Sequence, residues 1–361
     1  MERRRFLVKA GGVLAVAAAA PAFNAPNVIA QPKFKWRLST SFPPKLPPLH
    51  DAAEMFAKIV EVATGGRLKI EVFGAGELMP GLENFDAARQ GTIEVGYGAA
   101  YYWAGKEPAT QWFTAVPFGL NAQGTMAWIT SGGGQKVYEE VYAAFDLVPR
   151  RFTATGVQMG GWFRKKIESI DDYKGLKMRI PGLGGKVVAK AGGTVVLLAA
   201  GDIFTSLERG VIDATEWVGP YQDERLGLYK AAKFYYYPGW HEPGTSGELF
   251  FNKKAYTSLP VEFQKIVDAA AEQVSTWGFT EQEARNAAAL ERLTTKHGVQ
   301  VFKFPDQVLS ALRKLSDDVA EEEAAKTPMA KKVAANHDKF KKQWLAWSNL
   351  SERAYYNMMF A

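Results

Sequence analysis

From Phe34 onward the apolar residues switch between two spacings. Phe34, Trp36 and Leu38 recur every second position, the period of a strand. Between Pro48 and Thr64, Ala52, Met55, Phe56, Ile59, Val60 and Ala63 share one helical face, and Gly65-Gly66 supplies a left-handed stop. Leu68, Ile70 and Val72 return to the strand period. Pro80 to Gln90 reads as a helix ended by Gly91, and Ile93 to Gly96 as a third strand. Such a βαβαβ run predicts a mostly parallel sheet covered by helices.

The alternation resumes after Thr153 in a different sequence. A strand-like run leads to Phe163, and Gly175 to Ile180 gives another strand. Then come a helix over Gly184–Ala191, a strand over Val195–Leu198, a helix over Asp202–Arg209 stopped by Gly210, and a strand over Val211–Trp217. Two α/β units in tandem predict two lobes with a cleft between them. Lobe I takes residues 31–155 with parts of 245–361, and lobe II takes 156–244. The last third changes character. Pro260 to Lys296 and Pro305 to Met358 are rich in Ala, Glu, Lys and Gln at helical spacing, with a short strand over Val299–Phe304 between them. Residues 260–361 therefore read as long helices bracing the lobes.

The first thirty residues do not belong to this pattern. Arg3-Arg4-Arg5 precedes a short apolar run, Ala10 to Ala20, and Val28-Ile29-Ala30 suits cleavage before Gln31. The run is shorter than the ~20 residues of a membrane span. Residues 1–30 are thus expected to be a twin-arginine signal that sends a folded protein to the periplasm. The chain has no cysteine, so neither disulfides nor thiol chemistry enter. Its formal charge is +6, and the signal residues account for half of it. The remaining charges are interspersed, which speaks against nucleic-acid binding.

Candidate chemistry concentrates where charge interrupts an apolar run. Glu216 stands alone in Ala214-Thr215-Glu216-Trp217-Val218-Gly219-Pro220, and Arg179 sits between Met178 and Ile180. A charge in such a setting needs a partner. Arg179 offers a planar fork matched to a carboxylate. Glu216, the Gln158 side chain and the Trp217 carbonyl are oxygen donors suited to a hard cation, Na⁺ or Ca²⁺, with Glu242 as a further acid. The simpler alternative pairs Glu216 with Arg179 as a structural bridge. Both residues fall near strand ends, where ligands of open α/β sheets bind. Tyr101, Tyr102, Trp103, Tyr237 and Trp240 are candidate pocket walls, Tyr101 and Trp240 first among them, although aromatic runs also serve as core. His50, His241, His297 and His337 show no metal-ligand spacing, and no nucleophile motif stands out.

Three blocks carry a resemblance: Gly156-Val157-Gln158-Met159-Gly160-Gly161-Trp162-Phe163-Arg164, Gly175-Leu176-Lys177-Met178-Arg179, and Asp213-Ala214-Thr215-Glu216-Trp217-Val218-Gly219-Pro220 with the run to Tyr237-Pro238-Gly239-Trp240. They resemble the solute-binding subunits of TRAP transporters, in the branch that binds 2-oxoacids and related monocarboxylates. The likeness covers essentially all of the chain after the signal. It implies a two-lobed periplasmic binding protein fold of type II kind, α/β with long C-terminal helices. It implies that Arg179 grips the ligand carboxylate. Gln158, Glu216 and the Trp217 carbonyl would hold a cation, with Glu242 nearby. It further implies delivery of the ligand to membrane subunits, no catalysis, and in some members a homodimer through the C-terminal helix. His241 is a variable feature of the branch. Rival readings are a binding protein for a larger sugar acid or dicarboxylate, a secreted hydrolase using Glu216 and Glu242 as a carboxylate pair, and a purely structural periplasmic protein.

Overall fold

The computed structural model describes residues 33–360. The proposed signal, residues 1–30, lies outside them. In chain order the strands are β1 Phe34–Thr40, β2 Leu68–Phe73, β3 Val95–Gly98, β4 Leu147–Ala154, β5 Gly161–Phe163, β6 Lys177–Arg179, β7 Thr194–Val196, β8 Ala214–Thr215, β9 Phe234–Tyr237, β10 Ser246–Asn252 and β11 Gln300–Lys303. The helices are α1 Leu49–Ala63, α2 Asn84–Arg89, α3 Ala122–Thr130, α4 Gly134–Ala143, α5 Gly182–Lys190, α6 Ala200–Glu208, α7 Pro220–Leu226, α8 Lys253–Ser258, α9 Val261–Thr295, α10 Asp306–Ala324, α11 Pro328–Leu350 and α12 Glu352–Met359.

The strands form two sheets, ordered β2-β1-β3-β10-β4 and β11-β9-β5-β8-β6-β7. Each is parallel but for one strand: β10 runs against β3 and β4, and β5 runs against β8 and β9. The reversed strands share a cause. β5 is the first strand after the chain leaves the first sheet at Ala154, and β10 is the first after it returns near Ser246. Each thus enters its sheet straight from a crossing, without the helical return that joins parallel neighbours. The sheet expected as mostly parallel is thus parallel with one exception in each lobe.

Periodicity predicted α1 well. Leu49, Ala52, Ala53, Phe56 and Val60 are buried, and Gly65 and Gly66 take φ of 61° and 76° just beyond its end. Several elements are shorter than expected. The helix over 80–90 is reduced to Asn84–Arg89, and the strand over 211–217 to Ala214–Thr215. Glu216 follows at once, its N–H still donating to the Arg179 carbonyl of β6 at 3.2 Å. β4, β9, β10, α3 and α4 were not anticipated. β10 is buried along most of its length, so it shows no alternation to read.

α9 is 35 residues long, about 50 Å at ~1.5 Å per residue. It packs on α1 and β4 of the first lobe and on α7 of the second, so it runs through both. Arg150 and Arg151 of β4 reach it. Arg150 Nε donates to Asp268 Oδ1 at 2.8 Å, and Arg151 pairs with Glu272 and Ser275. The second sheet also draws on the C-terminal third: β11, at residues 300–303, pairs with β9. None of the described helices is long and apolar enough to cross a membrane.

Candidate functional site

The two crossings between the sheets, residues 155–160 and 238–245, are bonded to each other. Thr155 N donates to the Thr245 carbonyl at 2.9 Å, Gly239 N to the Gln158 carbonyl at 2.8 Å, and Gln158 N to the Glu242 carbonyl at 3.2 Å. A Cβ at Gly239 would lie 2.3 Å from the Gln158 carbonyl oxygen, so only glycine permits that approach. This pairing places Gln158 and Glu242 side by side. Gln158 Nε2 donates to Glu242 Oε2 and to Thr245 Oγ1, each at 2.9 Å. Thr245 Oγ1 in turn donates to Glu242 Oε2.

From the second sheet come Arg179, at the end of β6, and Glu216, just past the end of β8. Both are about 1% exposed or less. Arg179 Nη1 pairs with Glu216 Oε1 and donates to the Glu216 carbonyl at 3.1 Å, while Nε donates to the Leu198 carbonyl at 3.3 Å. The guanidinium lies 5.3 Å over the Trp217 ring. The direct Arg179–Glu216 pair, the structural alternative read from the sequence, is therefore present. It uses one oxygen of the acid and leaves Nη2 of the fork unspent. His241 completes the cluster. Its Nε2 is 3.5 Å from Glu216 Oε2, and ligand atoms of Glu216, His241 and Glu242 all lie within 4.8 Å of one another.

The cluster is buried, and its polar atoms are not used up. Gln158 Oε1, Glu216 Oε2, Glu242 Oε1, Arg179 Nη2 and both His241 nitrogens find no hydrogen-bond partner among the described residues. Orphaned buried polar atoms are rare, and several converging on one point call for a polar guest. The three oxygens are the donors a hard cation takes, and Arg179 Nη2 suits an anion. Protonation reflects the same strain. Burial pushes the Glu216 carboxyl up to about 7 against the pull of Arg179. Burial, then the neighbouring Glu216, raises Glu242 to about 7. Burial holds His241 neutral, down to about 4. A bound cation would favour the ionised acids.

A small cavity adjoins the cluster. Tyr101, Tyr102, Gln158, Trp217 and Thr245 are among its lining residues, with Phe42 and Leu49 on the first-lobe side. Tyr101 meets the second lobe at Gly182, where a Cβ would lie 3.0 Å from its own Cβ. The structure thus brings together Gln158, Arg179, Glu216, Trp217 and Glu242, with Tyr101 at the edge. Tyr102 lines the cavity as well, and Trp103, Tyr237 and Trp240 lie elsewhere. The Trp240 indole stacks on Phe118 at 5.8 Å and does not line that cavity. Trp103 donates to buried Glu248 at 2.7 Å in the first-lobe core, and Tyr237 is 42% exposed. Thr245 was not singled out by sequence reasoning, and His241 entered only as a variable feature of the branch the chain resembles, not as a cluster member. The one available signal was their closeness in the chain to Glu242, which no spacing rule exploits.

Residues 39–327 match the family model described as bacterial extracellular solute-binding protein, family 7. The chain is 45% identical over 326 residues to the monocarboxylate 2-oxoacid-binding periplasmic protein of Nostoc sp., across 90% of this chain and 89% of that protein. Among solved structures it resembles a TRAP periplasmic solute binding protein from Colwellia psychrerythraea with bound calcium and pyruvate. The TM-score is 0.87 at 40% identity, over 90% of this chain and 99% of that one. One from Pseudoalteromonas atlantica, with bound sodium and pyruvate, gives 0.87 at 38% identity, over 90% and 98%. One from Bordetella bronchiseptica, a mixed-occupancy dimer with copurified calcium and picolinate, gives 0.89 at 38%, over 91% and 98%.

Proposed function

Because the chain belongs to the bacterial extracellular solute-binding proteins of family 7, we propose that it captures a small 2-oxo or 2-hydroxy monocarboxylate together with a cation, and hands it to TRAP membrane subunits. The observation that carries this reading is the convergence of unpartnered buried atoms: three side-chain oxygens from Gln158, Glu216 and Glu242 beside one free guanidinium nitrogen of Arg179. The oxygens and the Trp217 carbonyl would hold Na⁺ or Ca²⁺, which neutralises the two acids and leaves charge to attract the ligand. Arg179 binds the ligand carboxylate, and Gln158 and Tyr101 flank it. Trp240 supports that wall from behind, through Phe118 and the neighbouring His241. Similar chains crystallised with calcium or sodium and with pyruvate support both halves of this reading.

The lobes divide at 155/156 and 244/245, and closure over the ligand expels water and strengthens both polar contacts. A twin-arginine signal over 1–30 exports the folded chain to the periplasm, where this family works, and the C-terminal helices pair two copies. The site binds without turnover, a reading supported by the family's description as solute-binding.

Calorimetric titration of pyruvate into refolded, ligand-stripped protein tests the proposal, run with Ca²⁺, with Na⁺, and with chelator in potassium buffer. Tight binding that requires one cation is the expected result. Glu216→Gln should then lose the cation dependence while remaining folded. No heat under any condition overturns the ligand assignment, and full binding in chelator overturns the role of the cation.

A further inference from the structure

A chain of buried hydrogen bonds runs from the site to the crossing between the lobes. The Trp217 indole Nε1 donates to Gln222 Oε1 at 3.0 Å. Gln222 Nε2 donates to Gln282 Oε1 at 2.6 Å. Gln282 Nε2 donates to the Ala154 carbonyl at 2.9 Å, with the Gly278 carbonyl as a second acceptor at 3.4 Å. Each link comes from a different part of the molecule. Trp217 follows Glu216 past the end of β8, Gln222 is on α7, Gln282 is on α9, and Ala154 is the last residue of β4 before the chain crosses.

Both glutamines are 1% exposed, and both ends of each amide are used. The order cannot be reversed. Flipping Gln222 would set its NH₂ against the indole N–H, and flipping Gln282 would set its oxygen against the Ala154 carbonyl. Such a chain fixes geometry in a way apolar packing does not, because buried donors left without acceptors are costly while packed methylenes tolerate a small slide. The near end matters for binding. The Trp217 ring lies beneath Arg179 at 5.3 Å and meets Phe42 of the first lobe edge-on at 6.2 Å. At the far end the β4–β10 ladder is irregular between Ser246 and Gly247, beside Ala154. There α9 comes close, with Gly278 against Thr153.

We propose that Gln222 and Gln282 are positioning residues for ligand capture: they hold Trp217, and through it Arg179 and the cation-binding turn, in register with the interlobe crossing. This rests on the reading of the site given above. Neither glutamine touches the cluster of acids, so their effect passes through Trp217.

Gln222→Met, Gln282→Met and the double variant keep the volume and remove the relay. Two readouts decide. The first is the affinity and dissociation rate for pyruvate with Ca²⁺. The second is ¹⁹F NMR of protein labelled with 5-fluorotryptophan, with the Trp217 resonance assigned by Trp217→Phe. Gln282→Met should weaken binding about three- to tenfold, through faster release, as loss of one buried hydrogen bond implies. It should also shift the Trp217 resonance, although residue 282 does not contact the indole. The double variant should be no worse than the more severe single one, since one broken link disables the chain. A Trp217 resonance unmoved by Gln282→Met, or losses that add in the double variant, overturns the proposal. If Gln282→Met does not fold, Gln282→Glu keeps the acceptor for Gln222 but opposes an oxygen to the Ala154 carbonyl, and it is read the same way. Should wild-type protein not bind pyruvate, the ligand assignment fails on its own, and the fluorine shift still decides for or against the relay.

Discussion

Arg179 spends Nη1 on Glu216 and Nε on a carbonyl, and keeps Nη2 for something else. An arginine engaged on two sides is held rigid, which lowers the entropic cost of gripping a ligand with the third nitrogen. Arg179→Ala removes the grip and strands Glu216 as a buried acid. It should cost about 2–5 kcal/mol of ligand binding, as loss of one member of a buried charge pair does. Affinity for pyruvate with Ca²⁺ measures it, and unchanged affinity would remove Arg179 from the clamp. Glu216 was legible in the sequence as a single charge in an apolar run, and Arg179 as an arginine set between Met178 and Ile180. His241 was not, because an isolated histidine beside aromatics looks the same whether it fills a core or faces a ligand. A different buried acid serves the first lobe. Glu248 accepts from Trp103 Nε1 and Tyr142 Oη, each at 2.7 Å, and from Tyr138. Burial outweighs these donors and lifts its carboxyl from the ordinary 4.5 to about 7. A pKa raised on folding stabilises while the proton stays on. That contribution is full below about pH 4.5, shrinks as pH rises, and is gone above about 7. Glu248→Gln, always neutral, escapes this loss. Its stability relative to wild type should therefore improve by about 2 kcal/mol between pH 5 and pH 8. Denaturant unfolding at the two pH values measures it, and a relative loss at pH 8 would show that the native acid is ionised.

β8 is two residues long, yet it aims the acid that follows it. Its neighbour β5 begins at Gly161, whose φ is 117° and whose missing Cβ would lie 2.8 Å from the Thr215 carbonyl. Both facts demand glycine. Gly161→Ala must bend β5 away from β8, and the displacement reaches Glu216 one residue later. The substitution should cost about 1–3 kcal/mol of stability and weaken ligand binding as well. Calorimetric unfolding and pyruvate titration test both, and a variant that melts lower but binds normally would uncouple β5 from the site. Elements with one exposed face were legible, α1 and β1 above all, because alternation needs a wet side. β10 is buried along most of its length, so nothing in its sequence marks it as a strand, whereas β3 was legible only from its place after the α2 helix and Gly91. β9 lay hidden because all four of its residues are aromatic, so no alternation of apolar and polar positions marks it. The long helix over Pro260–Lys296 was legible from length and composition, and so was its expected place as a brace, but the elements it touches were not. Its course depends on contacts with α1, β4 and α7, which no local pattern encodes.

At the scale of the molecule, apolar surface gathers where the chain ends. Trp347 and Leu350 on α11, and Tyr355, Tyr356, Met358, Met359 and Phe360 on or just beyond α12, are all more than half exposed. Scattered exposed apolar residues are ordinary on a protein surface, but seven within fourteen positions are a concentration that suits the proposed dimer contact. α12 buries none of its own residues and is tied to the rest by a hydrogen bond from Gln123 Nε2 to Glu352 Oε1 at 3.1 Å. It adds little to the fold of its own copy, so its apolar side chains are available to a second one. A stable pair buries about 800 Å² per partner, and the exposed apolar residues at the end of α11 extend those of α12. The proposed dimer therefore uses both. Deleting residues 351–361 should convert a dimer into a monomer in sedimentation velocity at micromolar concentration. The cation-dependent affinity for pyruvate should stay as it was, because the deletion removes no residue of the cluster between the lobes. A full-length chain that sediments as a monomer would leave the patch without a partner of its own kind. A truncated chain that stays dimeric would move the interface off the C-terminal helices altogether.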